Sequence, residues 1–209
     1  MPKPEARHMV ESQLRARGIA DPRVLDAMLR VPRHEFVAEQ LQSLAYEDHP
    51  LAIGEGQTIS QPYVVALMLE SLQLTPTETV LEIGTGSGYV TALLAELAAQ
   101  VFSIERHPAL AASARHVLAA LGYTNARVFT GDGTLGLPDY APFDAILVSA
   151  GAPQVPPALI SELREGGRLI IPIGSPDSQQ LHFFRIVNGQ PILSLRDPVR
   201  FVPLISTPE

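Results

Sequence analysis

The sequence predicts a doubly wound α/β fold with a mainly parallel sheet, and three observations carry that prediction. Between residues 79 and 173, short apolar runs alternate with stretches of helical length, the pattern of strands joined by covering helices. The first of these runs leads into a glycine turn, Glu82-Ile-Gly84-Thr-Gly86-Ser-Gly88. Acidic residues then stand at the ends of three successive runs, at Glu82, Glu105 and Asp132. Ligands of open α/β sheets bind outside the carboxyl ends of the strands, so this convergence marks a candidate site.

The elements follow in order. Residues 5–17 set Met9, Val10 and Leu14 on one side of a helix, with Arg7, Glu11 and Arg15 elsewhere, and Gly18 stops the run. Asp21 reads as an N-cap with Pro22 at the first helical position, ahead of Val24, Leu25, Met28 and Leu29. Pro32 ends this second helix. Residues 46–60 contain Pro50, Gly54 and Gly56 and read as a loop, yet one rich in groups able to do chemistry. A third helix is expected over residues 61–74. Strands are expected at 79–83, 101–105, 127–130, 145–149 and 167–173, with helices after the glycine turn to residue 98, over 108–121 and over 157–163. Beyond residue 180 no helical spacing remains. Residues 181–187 and 191–195 flank Asn188-Gly189 and read as an antiparallel hairpin.

Composition narrows the function classes. A chain of 209 residues with 46% hydrophobic and 18% charged residues is an ordered domain with a sizeable core. The formal charge of −7 argues against a nucleic-acid partner, which is usually met by a basic patch. With no cysteine, disulfides, thiolate metal sites and cysteine nucleophiles are all excluded. The six histidines show no zinc-ligand spacing, so no metal is expected. No apolar run approaches the ~20 residues that span a bilayer, and residues 1–10 lack a signal-peptide core.

The glycine turn has the spacing G-x-G-x-G. A dinucleotide fingerprint would place a third glycine where Tyr89 stands. A carboxylate at Glu82, just before the turn, would repel a pyrophosphate but suits the cationic tail of S-adenosylmethionine. Glu105 follows Gly84 by 21 residues, the interval at which a carboxylate accepts from ribose hydroxyls. Asp132, between Gly131 and Gly133, is either a simple turn or an acceptor for an adenine amino group.

Several segments resemble one family. Tyr46-Glu-Asp48 with Gly56-Gln-Thr-Ile-Ser60-Gln-Pro62 resembles the signature loop of the protein-L-isoaspartate (D-aspartate) O-methyltransferases, and Val80 to Tyr89 resembles their cofactor motif. Gly131-Asp-Gly133, Pro142 to Ile146, Ala152-Pro153, Val155-Pro156, Gly166 to Leu169 and Arg200 to Leu204 are similar to later blocks in the same order. Thr134 and Ser149-Ala-Gly151 depart from the usual pattern. The resemblance covers about residues 5–204 and implies a class I methyltransferase (Rossmann-like) core.

By that resemblance, residues 1–62 form a helical extension with the active-site loop, and 63–209 the S-adenosylmethionine-binding core, packed as one unit. Ser60 is the active-site hydroxyl beside the transferred methyl, with Thr58 near it. Glu82, Gly84, Gly86, Gly88, Glu105, Asp132 and Gly133 hold S-adenosylmethionine; Ser60, Arg200 and Val202 hold the substrate. The resemblance further implies methylation of L-isoaspartyl, and by extension D-aspartyl, residues of damaged proteins; the lack of cysteine fits a cytoplasmic chain, and a monomer is expected. Two other classes stay open: another carboxyl or small-molecule methyltransferase, and a cofactor sensor without turnover. Ser60 also has a bland reading, as the N-cap of the helix that follows.

Overall fold

The computed structural model describes residues 3–175 and 177–205. Its centre is a seven-stranded sheet in the order β5-β4-β3-β6-β7-β8-β9. Strands β3 (Thr79–Ile83), β4 (Gln100–Glu105), β5 (Ala126–Thr130), β6 (Phe143–Val148) and β7 (Leu163–Ser175) run parallel. Strands β8 (Ser178–Val187) and β9 (Gln190–Val199) complete it antiparallel. Every residue of β6 is buried, as a strand covered on both faces requires. Helices α4 (Tyr89–Leu97), α5 (Pro108–Ala120) and α6 (Pro157–Ser161) make the crossovers. The chain leaves β3 towards β4 and β5, then returns to β6 on the other side. The carboxyl ends of β3 and β6 therefore flank a crevice.

The N-terminal segment begins as α1 (Pro4–His8), continues through a π-helical stretch, Met9–Leu14, and tightens to a 3-10 turn, Arg15–Arg17. Gly18 ends it in the left-handed region at φ 98°. Asp21 caps α2 (Pro22–Arg30), accepting from the Arg23 N–H at 2.9 Å. Met9, Leu14 and Met28 pack in the same core cluster as Leu69 and Leu72 of α3 (Pro62–Leu72) and Leu93 of α4. The extension thus shares the hydrophobic core of the sheet's helical layer.

One expectation fails. Much of the segment read as a loop is a two-stranded antiparallel hairpin, β1 (Leu51–Gly54) with β2 (Gln57–Ile59). Glycine and proline density suggested a loop, but Glu55 and Gly56 supply only the tight turn, both at positive φ like Gly54 at the end of β1. Leu51 and Ile59 are buried and pair across the hairpin, tying it to the core.

At the amino ends of the strands the charges are closely paired. Arg168 on β7 contacts both carboxylate oxygens of Glu78, at 2.8 and 2.9 Å, and also donates to the carbonyls of Leu72, Gln73 and Asp144. Asp144 binds Arg164 through both oxygens and accepts from the Thr79 N–H.

Candidate active site

At the opposite edge of the sheet lies a cleft. Its floor is the turn after β3, from Ile83 to Ser87, with Ile104 and Glu105 at the end of β4, and Gly133. Its roof comes from far away in sequence: Gln57 to Ser60 of the β2 hairpin on one side, Val202 to Ile205 of the tail on the other. Of the expected cofactor residues, Gly84, Gly86, Glu105 and Gly133 line this cleft.

Glu105 is 5% exposed, and the backbone organises it. One carboxylate oxygen accepts from the Gly86 N–H at 2.8 Å, the other from the His107 N–H at 2.9 Å. Each oxygen keeps further lone-pair capacity for a hydroxyl donor in the cleft. Gly133 is required by close approach, because a Cβ there would lie 2.3 Å from the Ile83 side chain.

Glu82, Gly88 and Asp132 are not among the residues that line the cleft; the first two are buried and Asp132 is half-buried. Glu82 is fully buried and does not line the cleft, which corrects the expectation of a carboxylate aimed directly into it. One oxygen accepts from Thr91 Oγ1 at 2.5 Å and Ser103 Oγ at 2.7 Å. The other, Oε1, has no partner. Burial pushes its pKa up to about 8, against the pull of those two hydroxyls. Gly88 opens α4, and a Cβ on it would sit 3.2 Å from the Ala114 side chain of α5. Asp132 accepts from the Thr134 N–H at 2.9 Å and hydroxyl at 2.7 Å, organising its own turn.

A second groove adjoins the cleft, lined by Pro50, Gln61, Val64 and residues 198–202, Arg200 among them. Thr58, Ser60, Ser149 and Val202 line both spaces and form their common wall. Backbone pairing fixes the tail: Gly151 N–H donates to the Val202 carbonyl at 2.8 Å, and Leu204 N–H to the Gly151 carbonyl at 2.7 Å. The buried Gln179 amide brackets Phe201, accepting from its N–H at 2.7 Å and donating to its carbonyl at 3.2 Å.

Ser60 does not cap α3. Gln61 holds the N-cap position, and Asp48 accepts from the Tyr63 N–H at 3.2 Å. Asp48 also accepts from the Gln61 amide at 2.8 Å, so this loop carboxylate holds the corner next to Ser60. From the other side Arg33, with no exposed surface, donates to the Ser60 carbonyl at 2.7 Å and to the Ala45 carbonyl at 2.7 Å. Its guanidinium lies 4.8 Å from the Tyr89 ring centroid, and Nη1 has no partner. The sequence reading missed Arg33 and named Asp48 only as part of the signature loop, without a role. Arg33 stands in the mixed segment Val31-Pro-Arg-His-Glu-Phe36, and nothing in the spacing linked it to Ser60.

The site's chemistry fits S-adenosylmethionine. Glu105 offers a paired acceptor within the cleft, and Glu82, protonated behind the turn in the ligand-free protein, keeps one oxygen without a partner. Thr85, Ser149 and the backbone of residues 84–87 add neutral polar groups.

The family model for protein-L-isoaspartate(D-aspartate) O-methyltransferase matches residues 5–209. A protein-L-isoaspartate O-methyltransferase of Koribacter versatilis (strain Ellin345) is 58% identical over 197 residues, 94% of this chain and 89% of that one. One from Marinobacter nauticus (strain ATCC 700491 / DSM 11845 / VT8) is 56% identical over 201 residues, 95% of this chain and 92% of that one. Among solved structures, a putative protein-L-isoaspartate O-methyltransferase from Plasmodium falciparum, in complex with S-adenosyl-L-homocysteine, superposes with a TM-score of 0.85 at 29% identity. It covers 98% of this chain and 100% of that one. Another structure of that activity superposes at 0.86 with 31% identity, over 95% of this chain and 65% of that longer one.

Proposed function

The chain belongs to the protein-L-isoaspartate(D-aspartate) O-methyltransferase family, and from that premise we propose how its site works. The protein is an S-adenosylmethionine-dependent methyltransferase that esterifies the free carboxylate of isoaspartyl residues in damaged proteins and so initiates their repair. The observation that carries the mechanism is the common wall: Thr58, Ser60, Ser149 and Val202 face both the cofactor cleft and the groove.

When bound, S-adenosylmethionine supplies an electrophilic methyl group. Glu105 holds the ribose hydroxyls, and Gly84, Gly86 and Gly133 let the backbone approach the nucleoside. Glu82 acts from below the turn, its free oxygen answering the cationic tail. Gly88 and Asp132 shape the cleft by packing and by turn formation. Arg200, Val202 and the pinned tail backbone hold the peptide in the groove. A substrate carboxylate with a pKa near ~4 is already ionised at neutral pH, so no base has to remove a proton. Ser60 donates a hydrogen bond that aims this carboxylate across the common wall, and Thr58 supports it. The hairpin and tail exclude water from the transfer. Arg33 and Asp48 act through Ser60 by fixing its backbone.

The extension (residues 1–62) and core (63–209) work as one packed unit. We read the protein as a cytoplasmic monomer that acts on peptides and proteins and has no nucleic-acid partner; among the described residues no helix is long and apolar enough to cross a membrane. The test is transfer of labelled methyl to an isoaspartyl peptide beside its normal aspartyl twin. Labelling of the isoaspartyl peptide alone is expected; equal rates would favour a general carboxyl methyltransferase, and no transfer a sensor.

A further inference from the structure

The hairpin between β8 and β9 turns on Asn188-Gly189, with both residues exposed and at positive φ, 52° and 71°. Val187 pairs with Gln190, so these two residues are the whole loop. An Asn-Gly step is chemically vulnerable. The glycine carries no Cβ to hinder its own nitrogen. Once that nitrogen loses its proton it can attack the asparagine side-chain carbon. A new C–N bond forms, the side-chain nitrogen leaves as ammonia, and a succinimide ring remains. Water then opens the ring at either carbonyl. Opening at one regenerates an aspartyl residue; opening at the other routes the main chain through the side chain, giving an isoaspartyl residue.

In this hairpin one carboxylate stands against the first step. Glu165 accepts from the Asn188 N–H at 2.7 Å with one oxygen and from the Gly189 N–H at 2.9 Å with the other. The second bond ties up the proton whose loss starts the reaction. The negative charge beside that nitrogen further disfavours its anion, as any like charge does. Glu165 itself is exposed and lies far from the cleft in the fold, so catalysis gives no account of it.

We propose that Asn188 is a latent deamidation site guarded by Glu165, and that its isoaspartyl form is a substrate for a second copy of this chain. The second clause rests on the proposed function; the first does not. A second copy is needed because the turn lies at the far end of β8 and β9 from the groove. The groove takes Pro198 and Val199 from the other end of β9, and a ten-residue strand spans about 33 Å. An isoaspartyl linkage also adds a backbone atom to a two-residue loop whose register has no slack, so the damaged turn opens and offers the extended segment a groove accepts.

The experiment ages the full-length native protein beside Glu165→Gln and the double variant Glu165→Gln/Asn188→Ser at mildly alkaline pH. Melting curves verify that all three stay folded. Mass analysis of the tryptic peptide covering residues 186–196 reads deamidation directly. Glu165→Gln should deamidate roughly tenfold faster than native, the order of effect of one hydrogen bond to a charged group. Equal rates would overturn the guard. Each aged protein is then mixed with fresh native protein and labelled S-adenosylmethionine, with a synthetic isoaspartyl peptide alongside. Label in the residue 186–196 peptide of aged Glu165→Gln, absent from the double variant, is the expected result. A labelled synthetic peptide with an unlabelled aged protein would overturn the self-substrate clause. If the synthetic peptide also stays unlabelled, the proposed function fails and that clause falls with it, while the deamidation rates still decide the guard.

Discussion

The two edges of the parallel sheet handle buried charge in opposite ways. At the amino edge Arg168, Glu78, Arg164 and Asp144 satisfy one another, with bidentate contacts and carbonyls taking the remaining donors. At the carboxyl edge Glu82 keeps an unpartnered oxygen, Arg33 an unpartnered nitrogen, and Glu105 accepts only from backbone N–H groups. An unpaired buried polar group is costly; among the described residues the amino edge has none, and the one other case, Gln13 Oε1, lies in the N-terminal extension, so the contrast separates an edge built for stability from one built for a ligand.

Substitutions can break or sharpen that contrast. The largest effect is expected at the amino edge. Arg168→Met leaves Glu78 without its buried partner and should cost about 3–5 kcal/mol of stability, measured by denaturant unfolding. The folded fraction should bind S-adenosylhomocysteine as the native protein does. A weakened affinity there would erase the distinction between the edges.

Glu82 gives the next effect, through pH. Its folded pKa of about 8 lies above the ordinary 4.5, so the ligand-free folded protein holds a proton that the unfolded chain releases. Stability is therefore full below about pH 4.5 and declines as pH rises towards 8, by up to ~1.4 kcal/mol per unit. Glu82→Gln should flatten that part of the curve in melts taken across this range. A curve as steep as the native one would place the titration elsewhere.

Glu105→Ala removes the ribose acceptor. Cofactor affinity should fall roughly tenfold to a hundredfold or more, from the about 1.5–3 kcal/mol of hydrogen bonds to a charged group, in a calorimetric titration. Ser60→Ala should leave that affinity unchanged while single-turnover methyl transfer slows by roughly ten- to a hundred-and-fifty-fold. Because Gln61 and Asp48 organise the start of α3, its melting temperature should barely move.

Arg33 is expected to matter less for stability than Arg168, and it sharpens the contrast most. Arg33→Met deletes a buried cation that has no acid partner, yet it strands the carbonyls of Ala45 and Ser60. These terms oppose each other, so the loss should stay within about 1–3 kcal/mol, below that of Arg168→Met. Peptide turnover should nonetheless fall, with recovery in Arg33→Lys. Full turnover in Arg33→Met would make the residue mere packing.

By itself the sequence determined the alternation of strands and helices, the glycine turn, the cap at Asp21 and the Asn188-Gly189 hairpin. Each is set by residues close together in the chain, through periodicity, φ preference or a local hydrogen bond. The glycine spacing of the cofactor motif was legible for the same reason, whereas the Gly56–Ser60 segment was legible only through its resemblance to the family's signature loop. Tertiary structure alone decided that residues 51–59 pair as a hairpin, and that Glu82 lies under the turn rather than in the cleft. It also decided that Ser60 is held by Arg33, 27 residues away, and that Val202 meets Thr58 and Ser60 in one wall. Those facts depend on which surfaces exclude water against each other, and burial of that kind is a property of the packed molecule, with no periodicity along the chain to announce it.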